Sequence, residues 1–349
     1  MQLDCGRINL FIGKPNVGKS NILEALSLFC APYFSNKDSF LSEFIRYNSI
    51  SNLFYDQDTY ELIRVESDVN NAYLAFNQGI EQYVLALSEK KLSKKSGSQI
   101  SESFDFRNKA PSENISDPLF SVRLNHKGKS SDNPTDLYKK IYPSVVKKYI
   151  FKGFVEQHIS EPFSGFLKPP FGENLLRIIE ANAALRKNVA SLFAEYKLKV
   201  LIDSRENEII IFKEIDGIAY KVPYKLTADT FQRLIFHHAA VASNKNSILL
   251  FEEPESHSYP PYIRDLAQTI IDAETNQFFI TTHSPYLFNT IVEHCPPDEL
   301  AVFITYMENY ETKIKKLTDE ELAELSNYGV DIFFNLNWFV HGEMDSAAS

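Results

Sequence analysis

The sequence predicts an α/β fold: a mainly parallel sheet with flanking helices, an antiparallel β meander and an inserted helical lobe. Three observations predict it. Arg7–Ile12 (R-I-N-L-F-I) is a short apolar run that ends in a glycine-bracketed turn, Gly13–Ser20 (G-K-P-N-V-G-K-S), and the helical pattern Asn21–Phe29 follows. Two further apolar runs, Ser247–Glu253 and Gln277–Thr282, each deliver titratable residues at their ends. Between the first run and these two lies a long, compositionally mixed stretch. Short apolar runs bounded by turn residues suit strands buried on both faces, as a parallel sheet requires.

Along the chain, Ile22, Leu23, Leu26 and Phe29 fall on one side of the first helix. Thr59–Ser67, Ala72–Phe76 and Gln82–Leu87 read as three short strands of a meander. Ser88–Asp136 is rich in Ser, Lys, Asn, Asp and Gly, includes K-K-L-S-K-K-S-G-S at Lys90–Ser98, and reads as a mobile, partly disordered insertion. Leu137–Tyr149 and Glu173–Tyr196 carry helical periodicity, the second opening within L-K-P-P-F-G-E-N-L-L. Leu198–Asp203, Glu208–Lys213 and Ile218–Val222 read as strands, and Ala228–Ala242 as a helix with Phe231, Leu234, Ile235 and His238 on a common side. A hairpin is expected from Glu299–Tyr306 and Thr312–Lys316, then a short helix at Thr318–Leu325 opened by a Thr–Glu capping pair. Asp331–Phe339 carries apolar surface for core closure or docking. The expected organisation is 1–87 as the N-terminal half of a core, 88–200 as an inserted polar loop and helical lobe, and 201–349 as the C-terminal half.

The turn at Gly13–Ser20 has the complete G-x-x-x-x-G-K-S pattern. Its glycines let backbone N–H groups wrap a phosphate, Lys19 balances charge on the β and γ oxygens, and Ser20 offers a hydroxyl to Mg²⁺. The helix that follows points its positive end at the anion. Strand, loop and helix stand in the order this chemistry needs, so the motif implies binding of a nucleoside triphosphate.

Ser247–Glu253 (S-I-L-L-F-E-E) is an apolar strand ending in two carboxylates, a Walker B arrangement. Glu252 would support Mg²⁺ and Glu253 would polarise the attacking water, because phosphoryl transfer rests on positioning and charge stabilisation. Gln277–Thr282 (Q-F-F-I-T-T) brings His283 to its C-terminal end, where it can hydrogen-bond a γ-phosphate. Both tips fall where open α/β sheets bind ligands, outside the carboxyl ends of the strands. The alternatives are a solvated acidic turn at E-E-P-E and a capping role for His283 beside Ser284 and Pro285.

Bulk composition narrows the remainder. No apolar run approaches the roughly 18–20 residues that span a bilayer, and Met1–Arg7 does not resemble a signal peptide. The three cysteines, Cys5, Cys30 and Cys295, have no paired spacing, so a disulfide framework or zinc knuckle is not indicated and a cytoplasmic protein is expected. A net charge of −10 argues against coating nucleic acid by bulk electrostatics, while leaving room for a local basic groove.

With these motifs in place the chain resembles ABC/SMC-type P-loop ATPases, in particular the RecF-like and OLD-like AAA branch of bacterial proteins and anti-phage systems. E-E-P-E-S-H-S-Y-P-P (Glu252–Pro261) is similar to that branch's D-E-P-E-x-H-L-H-P, and I-T-T-H-S-P (Ile280–Pro285) matches its switch-histidine motif. L-T-A-D-T-F-Q-R (Leu226–Arg233) resembles its degenerate signature motif. The resemblance implies an ABC-type P-loop sheet and an ATPase using ATP and Mg²⁺. It implies that Gly13, Asn16, Val17, Gly18, Lys19, Ser20 and Asn21 hold the nucleotide, with Ser20 and Glu252 toward the metal. Glu253 becomes the base, His283 the switch, and Lys19 a catalytic cation. Thr227, Asp229, Thr230 and Arg233 would face the nucleotide of a second protomer in a head-to-tail homodimer sandwiching two ATP. Gln57, in F-Y-D-Q-D, is a candidate Q-loop glutamine.

The chain departs from that pattern in four places. Glu252 stands where the family carries Asp, which points to slow turnover. Ala228-Asp229 replaces the signature glycine, so close backbone approach is less assured. Only Met1–Ile12 precedes the loop where relatives carry an extra strand pair, which points to weak nucleotide affinity. No long heptad stretch supports a coiled-coil arm. The expected function is a nucleotide-driven clamp or sensor that controls a separate effector, such as a nuclease or toxin, in a defence-type system. The rival is a RecF-like DNA-binding repair clamp. No membrane partner is expected, since the transporter signature L-S-G-G-Q is absent.

Overall fold

A computed structural model describes residues 1–33, 40–90, 118–130, 144–153, 165–328 and 331–341. The chain divides into two compact units, one formed by Met1–Leu23 with Lys148–Ser349 and the other by Glu24–Lys147.

The first unit is organised by a six-stranded sheet in the order β13-β12-β1-β11-β10-β6. Its strands are β1 (Ile8–Ile12), β6 (Val146–Tyr149), β10 (Ile248–Glu252), β11 (Gln277–Thr281), β12 (Leu300–Glu308) and β13 (Glu311–Lys316). β1 pairs in parallel with β11 and β12, and β10 in parallel with β11, whereas β13 folds back antiparallel on β12. Every residue of β1 is buried, which explains its largely apolar run. Asn9 is the polar exception. Its side chain accepts from Gly6 N–H and donates to the Gly6 and Phe278 carbonyls, so its burial costs little.

Helices cover the sheet: α1 (Lys19–Ser27), α2 (Leu175–Ala181), α3 (Ala183–Ala194), α4 (Asp229–Ser243), α5 (Pro260–Asp272), α6 (Pro285–His294), α7 (Asp319–Tyr328) and α8 (Leu336–His341). The core joins Leu10, Phe251, Phe278 and Ile280 of the sheet to Leu234 and Ala239 of α4, Leu266 and Ile270 of α5, and Leu287 and Ile291 of α6. The continuous pattern expected at Glu173–Tyr196 breaks at Asn182, whose backbone is extended and whose side chain caps α3 by accepting from Leu185 N–H. The capping pair expected at Thr318 is present, with Thr318 N–H donating to Glu321 and Glu321 N–H to Thr318 Oγ1. A three-stranded antiparallel sheet, β7 (Lys199–Asp203), β8 (Glu208–Ile215) and β9 (Ile218–Pro223), completes this unit.

The second unit carries an antiparallel sheet in sequence order, β2 (Ile63–Glu66), β3 (Asn70–Asn77), β4 (Gln82–Glu89) and β5 (Phe120–Leu124). The meander therefore exists, starting later than Thr59, and gains a fourth strand from the segment expected to be mobile. β5 pairs with β4 through Leu85↔Val122 and Leu87↔Phe120, and its alternate residues Phe120, Val122 and Leu124 are buried. Residues 91–117 and 131–136 of that segment lie outside the described residues.

The helix expected at Leu137–Tyr149 is corrected at its C-terminal end, where Val146–Tyr149 is a strand beside β10. Lys147 and Lys148 mimic the polar face of a helix in the sequence, yet both are buried. Residues 137–143 lie outside the described residues. No helix among the described residues is long and apolar enough to cross a membrane.

Candidate functional site

The carboxyl ends of β1, β10 and β11 bring three predicted motifs together within the first unit. Gly13 leaves β1 at φ 153°, Asn16 takes φ 61° and Gly18 φ 94°, so the chain curls back before α1 begins at Lys19. Gly18 needs its freedom twice: its φ is left-handed, and a Cβ there would collide with the Thr312 side chain of β13. Asn is one of the few other residues that accepts the left-handed region readily, as at Asn16. Val17 packs beside Gly13, while Asn21 is exposed on the first turn of α1.

Lys19 is buried and folds over the loop, its Nζ donating to the carbonyls of Gly13 at 2.9 Å and Lys14 at 2.8 Å. Desolvation lowers its pKa, opposed by the charges of Glu253 and Glu252. Ser20 Oγ donates to Glu252 Oε1, and Lys148 Nζ lies 3.9 Å from Glu252 Oε2. Loop hydroxyl and strand-end carboxylate are thus already paired, with a cation whose side chain is 2% exposed on the far oxygen.

Glu253 sits at φ 44°, a left-handed position that a non-glycine residue occupies at a cost of order 1–3 kcal/mol. Its N–H donates to Thr281 O, which ties the turn after β10 to the end of β11. Its Oε1 lies 3.5 Å from His283 Nε2, and Ser256 Oγ donates to Oε2 at 3.3 Å. The cap of α6 is Ser284, which accepts from Leu287 N–H, so the capping alternative for His283 gives way to the pairing with Glu253. Burial lowers the His283 pKa and Lys19 lowers it further, while Glu253 opposes them. The imidazole is thereby held toward its neutral form, in which one ring nitrogen donates and the other accepts a hydrogen bond.

Glu255 supports this arrangement. It is buried, and its Oε1 accepts from Thr282 Oγ1 at 2.6 Å and His283 N–H at 3.2 Å. Desolvation raises its pKa, the two hydrogen bonds opposing. Glu255 and Lys148 were not singled out by the sequence. The third carboxylate of E-E-P-E was a signal for the former, and a lysine pair inside V-V-K-K-Y was a faint one for the latter.

The signature-like segment lies at the start of α4. Thr227 Oγ1 donates to Tyr224 O, Gln232 Nε2 donates to Thr227 O, and Thr230 Oγ1 donates to His257 O in the turn after β10. Arg233 is turned inward, its side chain 16% exposed, 4.6 Å over the Phe151 ring and 3.5 Å from Asp229. Gln57 stands at φ 59° in an exposed turn of the second unit. No cluster of three or more metal-ligating His, Cys, Asp or Glu occurs among the described residues.

A glycine-bracketed loop between a buried parallel strand and a helix, faced by strand-end carboxylates and a histidine, defines a P-loop ATPase domain. Residues 8–289 match the family profile described as "AAA domain, putative AbiEii toxin, Type IV TA system", and the chain belongs to that AAA family. No curated protein sequence matches it. Among solved structures, an SMC head bound to the C-terminal winged-helix domain of ScpA is 13% identical, with 90% of this chain and 91% of that one covered, at a TM-score of 0.45. The SMC head domain from Thermotoga maritima is 12% identical over 89% and 90% of the two chains at 0.35. A Pyrococcus furiosus SMC head with an extended coiled coil, bound to the C-terminal domain of ScpA, is 12% identical over 91% and 92% at 0.43.

Proposed function

We propose that the protein binds and slowly hydrolyses Mg-ATP, and that two copies close head to tail around two nucleotides. The observation that carries this reading is the pairing of Ser20 with Glu252 beside a buried Lys19 that caps the glycine loop. Two glycines at positive φ and a desolvated ammonium form a cradle suited to a polyphosphate. Ser20 and Glu252 offer hard oxygen donors at one point, as Mg²⁺ prefers, and are the residues that would hold it. Bound there, Mg²⁺ would supply charge neutralisation on the phosphate chain.

The roles of the protein's own groups follow. Backbone amides of Gly13–Ser20, with Asn16, Val17 and Asn21 shaping the loop, cradle the phosphates. Lys19 transfers its hydrogen bonds from the Gly13 and Lys14 carbonyls to phosphate oxygens. Glu253 accepts a proton from the attacking water, and His283, 3.5 Å away, reads the γ-phosphate and holds Glu253 in place. Thr227, Asp229 and Thr230 form the surface that meets a second protomer's nucleotide, with Arg233 anchoring it from behind on Phe151.

The closed dimer would act as a nucleotide-driven clamp or sensor that controls a separate effector, such as a nuclease or toxin, in a bacterial defence-type system. The toxin–antitoxin description of the family supports that context. Light scattering on Glu253→Gln with and without Mg-ATP tests the reading. A doubling of mass with nucleotide is the expected result, and an unchanged mass would remove the sandwich dimer.

A further inference from the structure

We infer that Tyr310, at the tip of the β12–β13 hairpin, stacks on the base of the bound nucleotide. The inference rests on the proposed seating of a nucleoside triphosphate at Gly13–Ser20, and it assigns the contact that the phosphate loop cannot make.

The hairpin leans on that loop at two points. The Thr305 carbonyl of β12 abuts Gly13 so closely that a Cβ there would collide with it, and the Thr312 side chain of β13 abuts Gly18 in the same way. β1 ends its pairing with β12 at Ile12↔Ile304. Beyond that pair, Thr305–Glu308 continues past the end of β1 on the side where the loop begins, paired only with β13. The hairpin tip therefore stands beside the phosphate cradle, and Tyr310 is about 7 Å of strand from Thr312.

Glu308 pairs with Glu311, so Asn309 and Tyr310 are the two central residues of the turn, at φ 49° and 62°. Two positive φ values mark a type I′ turn, whose second central position strongly favours glycine. Asn309 suits the first position. Tyr310 occupies the second against backbone preference, and the residue is 92% exposed. An aromatic ring that is neither packed in the core nor favoured by its backbone is explained by a ligand that covers it. A purine base, carried by the ribose away from phosphates at Gly13 and Gly18, is an occupant with the matching chemistry. Stacking is tolerant of base identity, so the ring would supply affinity for nucleoside triphosphates more than choice between adenine and guanine.

The test is calorimetric titration of ATP and of inorganic tripolyphosphate, with Mg²⁺, into the wild type, Tyr310→Ala, Tyr310→Phe and Tyr310→Gly. Tyr310→Ala should weaken ATP about tenfold, equivalent to about 1.4 kcal/mol, and leave tripolyphosphate unchanged. Tyr310→Phe should bind ATP as the wild type does. Tyr310→Gly should match Tyr310→Ala in affinity with an unchanged or raised Tm, since glycine relieves the positive φ. Wild-type ATP affinity in Tyr310→Ala would overturn the inference, as would an equal loss for ATP and tripolyphosphate. Failure of the underlying seating is separable: ATP binding that survives Lys19→Ala would show that the loop is not the site at all.

Discussion

The hydroxyl of Ser20 donates to Oε1 of Glu252, a residue 232 positions further along the chain, while Lys148 Nζ stands 3.9 Å from Oε2 of the same carboxylate. Both oxygens of Glu252 are thereby engaged, one by a loop hydroxyl and the other by a buried lysine. Glu252→Ala should lower the free energy of unfolding by about 1–3 kcal/mol, the cost of leaving polar partners unmatched. The double variant Glu252→Ala/Lys148→Met should recover part of that loss. Denaturant titration of the two proteins checks this, and no recovery would show that the pair is not coupled.

Turnover should depend on Glu253 far more than binding does. A positioned general base contributes about 10²–10⁴-fold, so Glu253→Gln should cut the ATPase rate by at least about 100-fold with ATP affinity kept. Single-turnover phosphate release alongside calorimetry separates the two quantities. Normal turnover in this variant would remove Glu253 from the base role.

Glu255 holds the loop bearing His283 through Thr282 Oγ1 and the His283 N–H. Glu255→Ala strands both donors and should destabilise the protein by about 1–3 kcal/mol. Glu255→Gln keeps an acceptor oxygen while removing a charge that burial disfavours, so its thermal midpoint should stay near that of the wild type. Comparable losses in the two variants would argue that the charge, rather than the acceptor, is what the site needs.

His237 on α4 predicts a pH dependence of stability. Its Nδ1–H donates to Arg233 O, its ring lies against Phe251, and burial pushes its pKa down to about 3. The unfolded chain therefore takes up this proton first, near the ordinary value of about 6.5. Stability from the neutral ring is complete above that value and is lost as pH falls toward about 3, by up to about 1.4 kcal/mol per pH unit. His237→Asn, which retains a donor for Arg233 O, should flatten the fall between pH 6.5 and 5 in denaturant titrations. An identical slope in both proteins would assign the acid sensitivity to other groups.

Several elements were legible without coordinates because their signals are local. The loop at Gly13–Ser20 depends on glycine at fixed offsets, and the Thr318–Glu321 capping pair on a spacing within one helical turn. The apolar runs ending at Glu252 and Thr282 reveal strands buried on both faces. Other elements were not legible because their partners are remote. The Phe120–Leu124 strand sits within a polar stretch and acquires its identity by pairing with β4. Val146–Tyr149 carries two lysines that resemble a solvated helix face until the sheet supplies Glu252 as a neighbour. Asn182 looks like one more polar helical position, yet it ends one helix and caps the next.

The sequence by itself therefore determined the chemistry on offer: a phosphate-type loop, two strand-end carboxylates, a histidine, and the order in which they occur. Local backbone preference and hydrophobic burial are written in neighbouring residues, and these motifs use little else. Tertiary structure alone decided which groups meet. It placed Ser20 and Lys148 on one carboxylate, set Glu255 behind His283, turned Arg233 onto Phe151, and brought Thr312 against Gly18. Those relationships follow from the pairing and packing of elements far apart in the chain, where a group's partner is fixed by tertiary neighbours rather than by its distance along the sequence.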